Sequence, residues 1–309
     1  MTRHPKRTPA LAETARSLPP LAATAPAPEP AWTPAHSAEL YRVESWGDSF
    51  FYINDEGHAA VRPFGDERLG IDIVRLTQEL ERRAIGFPVL VRFQDVLQAR
   101  VRMLNEAFLT AIEEAGYGNR YNGVYPIKVN QLHEVVEEVI DAGRKYGMGL
   151  ECGSKAELIA CLPHLTDDDM LLVCNGVKDR TMLSLILSAQ RLGQNVVPVM
   201  EKYAEFEALL ALADAQGVAP VLGVRVRLST RGSGRWGEST GSRSKFGLSV
   251  PELVRLVREL ERRGHRDSLA LLHFHIGSQI ADIQVLKRAI KEITQIYASL
   301  KKRGIGIRY

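Results

Sequence analysis

Apolar, strand-like runs end near residues 128, 153, 175, 201 and 228, at spacings of 25, 22, 26 and 27 residues. Each gap holds an amphipathic helical pattern, at 132–146, 155–163, 178–192 and 202–216. Runs such as Met170–Cys174 and Val196–Met200 are apolar on both alternating faces, as strands of a parallel sheet buried on both sides are. A further run, Leu269–Gly277, follows a helical stretch at 250–263, and after the helix of 282–303 a seventh strand is predicted to begin at 305–309. This rhythm suits either a (β/α)8 barrel or a doubly wound sheet. Two features favour the barrel. No G-x-G-x-x-G follows the first strand. Polar residues recur at successive strand ends, namely Lys128, Glu151, Asn175, Glu201, Arg227 and His275, and a barrel gathers those ends at one mouth.

The rest of the chain frames this body. Residues 1–36 are rich in Ala, Pro and Thr without hydrophobic period and read as a disordered leader. Prolines at 19, 20, 26, 28, 30 and 34 oppose an amphipathic transit helix, and no apolar core follows the basic residues, so a secretory signal is not read. Residues 37–69 are predicted to form a β element, with strands at Tyr41–Val43, Phe50–Asn54 and Ala59–Pro63 and a turn at Asp55–His58. Residues 70–309 then form an incomplete barrel, opening on helices at 70–85 and 94–115. Net charge is +3, from 40 Lys+Arg against 37 Asp+Glu, which gives no argument for nucleic acid or for a membrane surface. No stretch approaches the roughly 20 apolar residues of a membrane span. Cys152, Cys161 and Cys174 fit neither a zinc spacing nor a disulfide framework, and read as reduced, buried residues of a cytoplasmic protein.

At the mouth, a lysine ending an apolar strand is expected to be partly buried, with its amine made nucleophilic towards carbonyls. His273 and His275 alternate onto one side of their strand, where an imidazole can lie flat on a ring. Gly277–Ser278 offers a backbone and a hydroxyl to a phosphate, and Arg227 offers a cation. An imine-forming lysine, a ring partner and phosphate donors are what pyridoxal phosphate requires. Gly232–Gly237 lacks the Lys-Ser/Thr of a nucleotide loop and reads as a loop at the mouth; Asp167–Asp169 reads as a solvated turn rather than a metal site.

Four motifs carry a resemblance: Tyr125-Pro126-Ile127-Lys128-Val129-Asn130-Gln131, Gly149-Leu150-Glu151-Cys152-Gly153-Ser154-Lys155, Ser244-Lys245-Phe246-Gly247-Leu248 and His273-Phe274-His275-Ile276-Gly277-Ser278-Gln279. In this order they resemble the pyridoxal-phosphate decarboxylases of the alanine-racemase-like barrel class, and within it the bacterial biosynthetic arginine decarboxylases. The resemblance implies that Lys128 holds the cofactor as an imine, that His275 stacks on its ring, that Ser278 binds its phosphate, and that Glu151 and Arg227 line its pocket. It implies L-arginine as substrate, agmatine and carbon dioxide as products, a role in polyamine synthesis, a homo-oligomer, and an association with magnesium whose site is not locatable. The family's Gly-rich phosphate loop, pyridine-nitrogen acid, C-terminal β domain and interface Cys and Asp would lie past Tyr309. The chain is therefore read as the N-terminal part of such an enzyme, without activity by itself. A related decarboxylase or racemase of another basic amino acid, and a non-catalytic barrel that binds partners, are the alternatives.

Overall fold

The computed structural model describes residues 31–167, 169–230, 246–278 and 280–309. The chain first forms a small sheet, with β1 (Phe51–Ile53), β2 (Ala59–Val61) and β3 (Ile71–Asp72) antiparallel in that order. The side chain of Asn54 turns the β1–β2 hairpin by accepting the backbone N–H groups of Glu56 (3.1 Å) and His58 (2.8 Å). The strand predicted at Tyr41–Val43 is not formed. Tyr41 and Arg42 instead form a turn between two short helices, α1 (Pro34–Leu40) and α2 (Val43–Gly47). Thr33 caps α1 in a capping box with His36, with Pro34 in its first turn, and the left-handed Arg42 (φ +49°) that opens α2 keeps 41–43 from running on as a strand. Helices α3 (Ile73–Arg82), capped by Asp72, and α4 (Gln94–Glu114) lead to the main body. Residues 231–245, which take in most of the Gly/Ser/Arg-rich stretch 229–244 and the loop Gly232–Gly237, lie outside the described residues, as do Asp168, Gln279 and residues 1–30 of the leader.

Six parallel strands follow: β4 (Val124–Pro126), β5 (Gly149–Cys152), β6 (Leu172–Cys174), β7 (Val196–Met200), β8 (Leu222–Arg225) and β9 (Leu269–His273). Between them run α5 (His133–Gly143), α6 (Lys155–Cys161), α7 (Arg180–Arg191), α8 (Tyr203–Gln216) and α9 (Val250–Arg262), with α10 (Ile283–Lys302) after β9. The strand order in the sheet equals the order in the chain. A doubly wound sheet reverses its order at a switch point; these six strands do not, and wind as a (β/α)8 barrel does.

Alternation along the strands sorts side chains into two cores. Leu150, Cys152, Leu172 and Cys174 face outward and pack on helix residues such as Leu158, Met182 and Ile186. Leu171, Val173, Val197, Val199 and Leu271 face inward and meet one another, with Val124 of β4 and Tyr309 packed against them. Strands at opposite edges of the sheet thus share one interior, so the sheet is curled. Residues 305–309 are not a regular strand, yet Arg308 and Tyr309 donate backbone N–H groups to Ala270 (2.8 and 2.9 Å) and Tyr309 accepts from Leu272 (3.0 Å). They lie alongside β9, on the course predicted for a seventh strand. The three cysteines are free and buried.

Candidate active site at the mouth of the barrel

The C-terminal ends of the strands surround a cavity of about 520 Å³. Lys128 enters it from a 3-10 turn, Ile127–Val129, just past β4. Ile127 is buried in the outer core, and the 3-10 turn carries the next side chain round to the mouth, where Lys128 lines the cavity. The loop is closed by the Tyr125 hydroxyl, which donates to the Asn130 carbonyl (3.2 Å), and by the Asn130 side chain, which accepts from the Leu132 N–H (3.1 Å). Lys128 Nζ lies 3.8 Å from Glu151 Oε2. The expected burial of this lysine is not found: its side chain is 61 % exposed, because the turn lifts it off the sheet.

Glu151 shares the inward register of Val173, and its side chain is only 7 % exposed. A buried carboxylate needs partners. It has the Lys128 ammonium and the Asn175 amide, whose Nδ2 donates to Oε1 at 2.9 Å. Across the cavity Arg225, the last residue of β8, pairs with Glu201 (Nη1 to Oε1, 3.1 Å). Beside Arg225 in register stands His273, and His275 follows two residues on. His275 Nδ1 accepts the Gly277 N–H (3.1 Å), with Gly277 at φ +114°. That bond engages Nδ1, and the ring lines the cavity.

Burial pushes the His273 imidazole down to about 4, with Arg225, His275, Lys128 and Lys178 adding to the effect. Burial, then Arg225 and Lys128, lowers His275 as well. Both rings are thus held towards the neutral form. A folding consequence follows. The unfolded imidazole takes its proton near 6.5, the folded His273 only near 4, so the unfolded chain binds more protons between these values. Stability should fall as pH drops through that window, by at most about 3 kcal/mol from this residue. Urea unfolding of His273→Asn, compared with the parent from pH 7 to 4, should show a shallower acid limb; equal slopes would contradict the burial argument.

Among the described residues, two buried polar atoms here lack a hydrogen-bond partner, Asn175 Oδ1 and His273 Nδ1. Both residues, with Glu151, line the mouth cavity and also a larger interior cavity of about 880 Å³ below it. An unpaired buried polar atom costs roughly 1–3 kcal/mol, so such atoms mark a place where a polar ligand is accepted. A lysine for the aldehyde, an imidazole for the ring face, an arginine for an anion and a carboxylate with unpaired polar atoms for ring substituents fit a phosphorylated polar ring bearing an aldehyde.

The structure brings Lys128, Glu151 and His275 together, but not Arg227 and Ser278. Arg227 donates Nη2 to the Gly247 carbonyl (2.8 Å), keeps a buried Nε without a partner among the described residues, and does not line the mouth cavity. Two residues further along the chain it shares the face of Arg225 but stands about 6.6 Å beyond it. The cavity's arginine is therefore Arg225, and pairing of Arg225 with His273 is the register that would have told them apart. Ser278 is exposed and likewise not part of the lining. His273, read from the sequence only as a neighbour of His275, proves to be the more buried imidazole of the two.

A curled parallel sheet with a lysine at its open rim defines a barrel that can carry a carbonyl cofactor. The chain belongs to the pyridoxal-dependent decarboxylases: residues 101–309 match the family's pyridoxal binding domain. Among curated relatives, biosynthetic arginine decarboxylases of Gloeobacter violaceus and of a Nostoc species are 45 % and 44 % identical over 278 residues, each covering 90 % of this chain. The chain spans 43 % and 41 % of their lengths, less than half. The crystal structure of the biosynthetic arginine decarboxylase from Campylobacter jejuni superposes with a TM-score of 0.76 at 31 % identity, covering 86 % of this chain and 43 % of that one. A diaminopimelate decarboxylase from M. jannaschii shares the fold, with a TM-score of 0.65 at 19 % identity over 84 % of this chain and 55 % of that one.

Proposed function

We propose that this chain carries the cofactor site of an arginine decarboxylase, which converts L-arginine to agmatine and carbon dioxide in polyamine synthesis. The observation that carries this is the Lys128 amine set 3.8 Å from the buried Glu151 carboxylate, in a cavity that also holds His275. The arginine decarboxylases among the relatives support the choice of substrate. Pyridoxal 5'-phosphate, when bound, supplies an electron sink for the pair left behind as the carboxylate departs. The protein's part is to hold and orient. Lys128 is the point of covalent attachment, and Glu151 steers its amine. The His275 ring, held towards its neutral form, would cover the cofactor ring and keep water from it. Arg225 takes the cationic role first read for Arg227. Ser278, three residues past His275, is proposed as a phosphate ligand. A homo-oligomer in the cytoplasm belongs to the same proposal. Among the described residues no helix is long and apolar enough to cross a membrane.

Magnesium rests on family association alone. Glu56, His58 and Asp72 in the N-terminal sheet bring three ligand atoms together. Asp72 there already accepts from the Arg75 N–H, Asn54 Nδ2 and His58 Nδ1, and Arg75 pairs with Glu56, so hydrogen bonds within the sheet account for the cluster.

The test is a titration of the purified chain with pyridoxal phosphate. Expected is a saturable visible absorbance at one cofactor per chain that borohydride abolishes, weakened at least about tenfold in His275→Ala. A chain that folds but gives no saturable signal would overturn the reading.

A further inference from the structure

The lysine that is truly buried at the mouth is Lys178, whose side chain is 0 % exposed. It stands on the loop between β6 and α7, behind the cavity rather than in its lining. Its ammonium donates to the carbonyl of Gly176 and lies 3.6 Å from Glu205 Oε2 on α8. Burial lowers the Lys178 pKa, against the pull of Glu205 and Glu201. A buried ion pair adds little to stability compared with well-packed apolar residues, so stability alone gives no account of it. Its geometric output does. Glu205 Oε1 accepts the Lys178 N–H (3.1 Å) and Oε2 accepts the Glu201 N–H (2.8 Å). One carboxylate therefore fastens the loop after β6 to the end of β7. The side chain of Glu201 then holds Arg225 at the end of β8 (3.1 Å), and its carbonyl accepts the Gly247 N–H (3.1 Å). On the other flank, Gly176 at φ +71° sits so close to Gly153 that a Cβ there would lie 2.3 Å from the Gly153 carbonyl oxygen. The carbonyl that Lys178 grips thus belongs to a turn packed against the loop after β5.

We propose that Lys178 and Glu205 are positioning residues of the cofactor site, setting the Gly176 turn and Glu201 and, through Glu201, aiming the Arg225 guanidinium into the mouth. Its bearing on the cofactor rests on the proposed function; the positioning itself does not. Four successive strand ends are tied by this one pair, and no part of it touches the ligand space.

The experiment compares the purified chain with Lys178→Met, which keeps the stem and removes the ammonium, with Glu205→Gln, which keeps the shape and removes the charge, and with Arg225→Ala. Far-ultraviolet circular dichroism reports folding, and the dissociation constant for pyridoxal phosphate is read from the visible absorbance. Lys178→Met and Arg225→Ala should each weaken binding about tenfold or more, and the double variant should be little worse than either single one, since both act through one guanidinium. A folded Lys178→Met that binds as the parent does, or losses that multiply in the double variant, would overturn the proposal. If Lys178→Met does not fold, Glu205→Gln carries the same expectation. Amide hydrogen exchange gives a reading free of cofactor: the Lys178 and Glu201 N–H groups should exchange about tenfold or more faster in Glu205→Gln. Should the parent chain bind no pyridoxal phosphate, the functional reading falls, and this exchange decides the positioning alone; unchanged protection would sink it.

Discussion

Gly149→Ala should cost roughly 3 kcal/mol or more in folding stability, near the top of what a single added methyl does. Gly149 opens β5, where it lies against β6. A Cβ built there meets the Leu171 carbonyl oxygen at 2.0 Å and its carbon at 2.9 Å. Neither atom belongs to a flexible side chain. The same oxygen accepts the Leu150 N–H at 2.9 Å, so moving it breaks the ladder between the two strands. Since β5 also carries Glu151, whatever backbone survives should present that carboxylate out of place. Gly118→Ala is the control: nothing lies within 4 Å of its Cβ, and a change within about 0.5 kcal/mol is expected. Urea midpoints of the two variants measure the difference. Equal midpoints would mean that the strands can part without cost, against the close approach described.

Lys128→Ala should remove all borohydride-sensitive cofactor absorbance while leaving the chain folded. The two halves of this expectation have separate causes. No other described amine is set both in the mouth cavity and against Glu151, so loss of Nζ leaves no replacement. The side chain is mostly exposed and its pair with Glu151 is long, but Glu151 is buried and loses a cation, so a stability loss of about 1–2 kcal/mol on a still-folded chain is expected. A variant that lost binding by unfolding would fail this test as clearly as one that kept the absorbance.

Much of the barrel could be read from the chain because its strands are buried on two faces. Such strands must be apolar throughout, and Met170–Cys174 and Val196–Met200 announce themselves by that alone. In the N-terminal segment the hairpin of β1 and β2 is legible, but the alternation at Tyr41–Val43 spans too few residues to reveal the left-handed Arg42 that breaks the chain there. At the site, sequence order identified which strand ends converge, but not where each side chain stands along its strand. Arg225 and Arg227 share one face, and only the register against His273 separates the residue in the cavity from the one beyond it. Likewise Lys128 and Lys178 both follow apolar runs. Burial falls on Lys178 because Glu205, 27 residues later on α8, reaches back to it, a pairing that no local pattern encodes.

The most direct measurement is to incubate the purified chain with pyridoxal phosphate, fix it with borohydride, digest it, and locate the pyridoxyl group by mass spectrometry. One group per chain, on the peptide containing Lys128, is the predicted result. A stoichiometric group on Lys178 or any other lysine, or no group at all on a folded chain, would contradict the account.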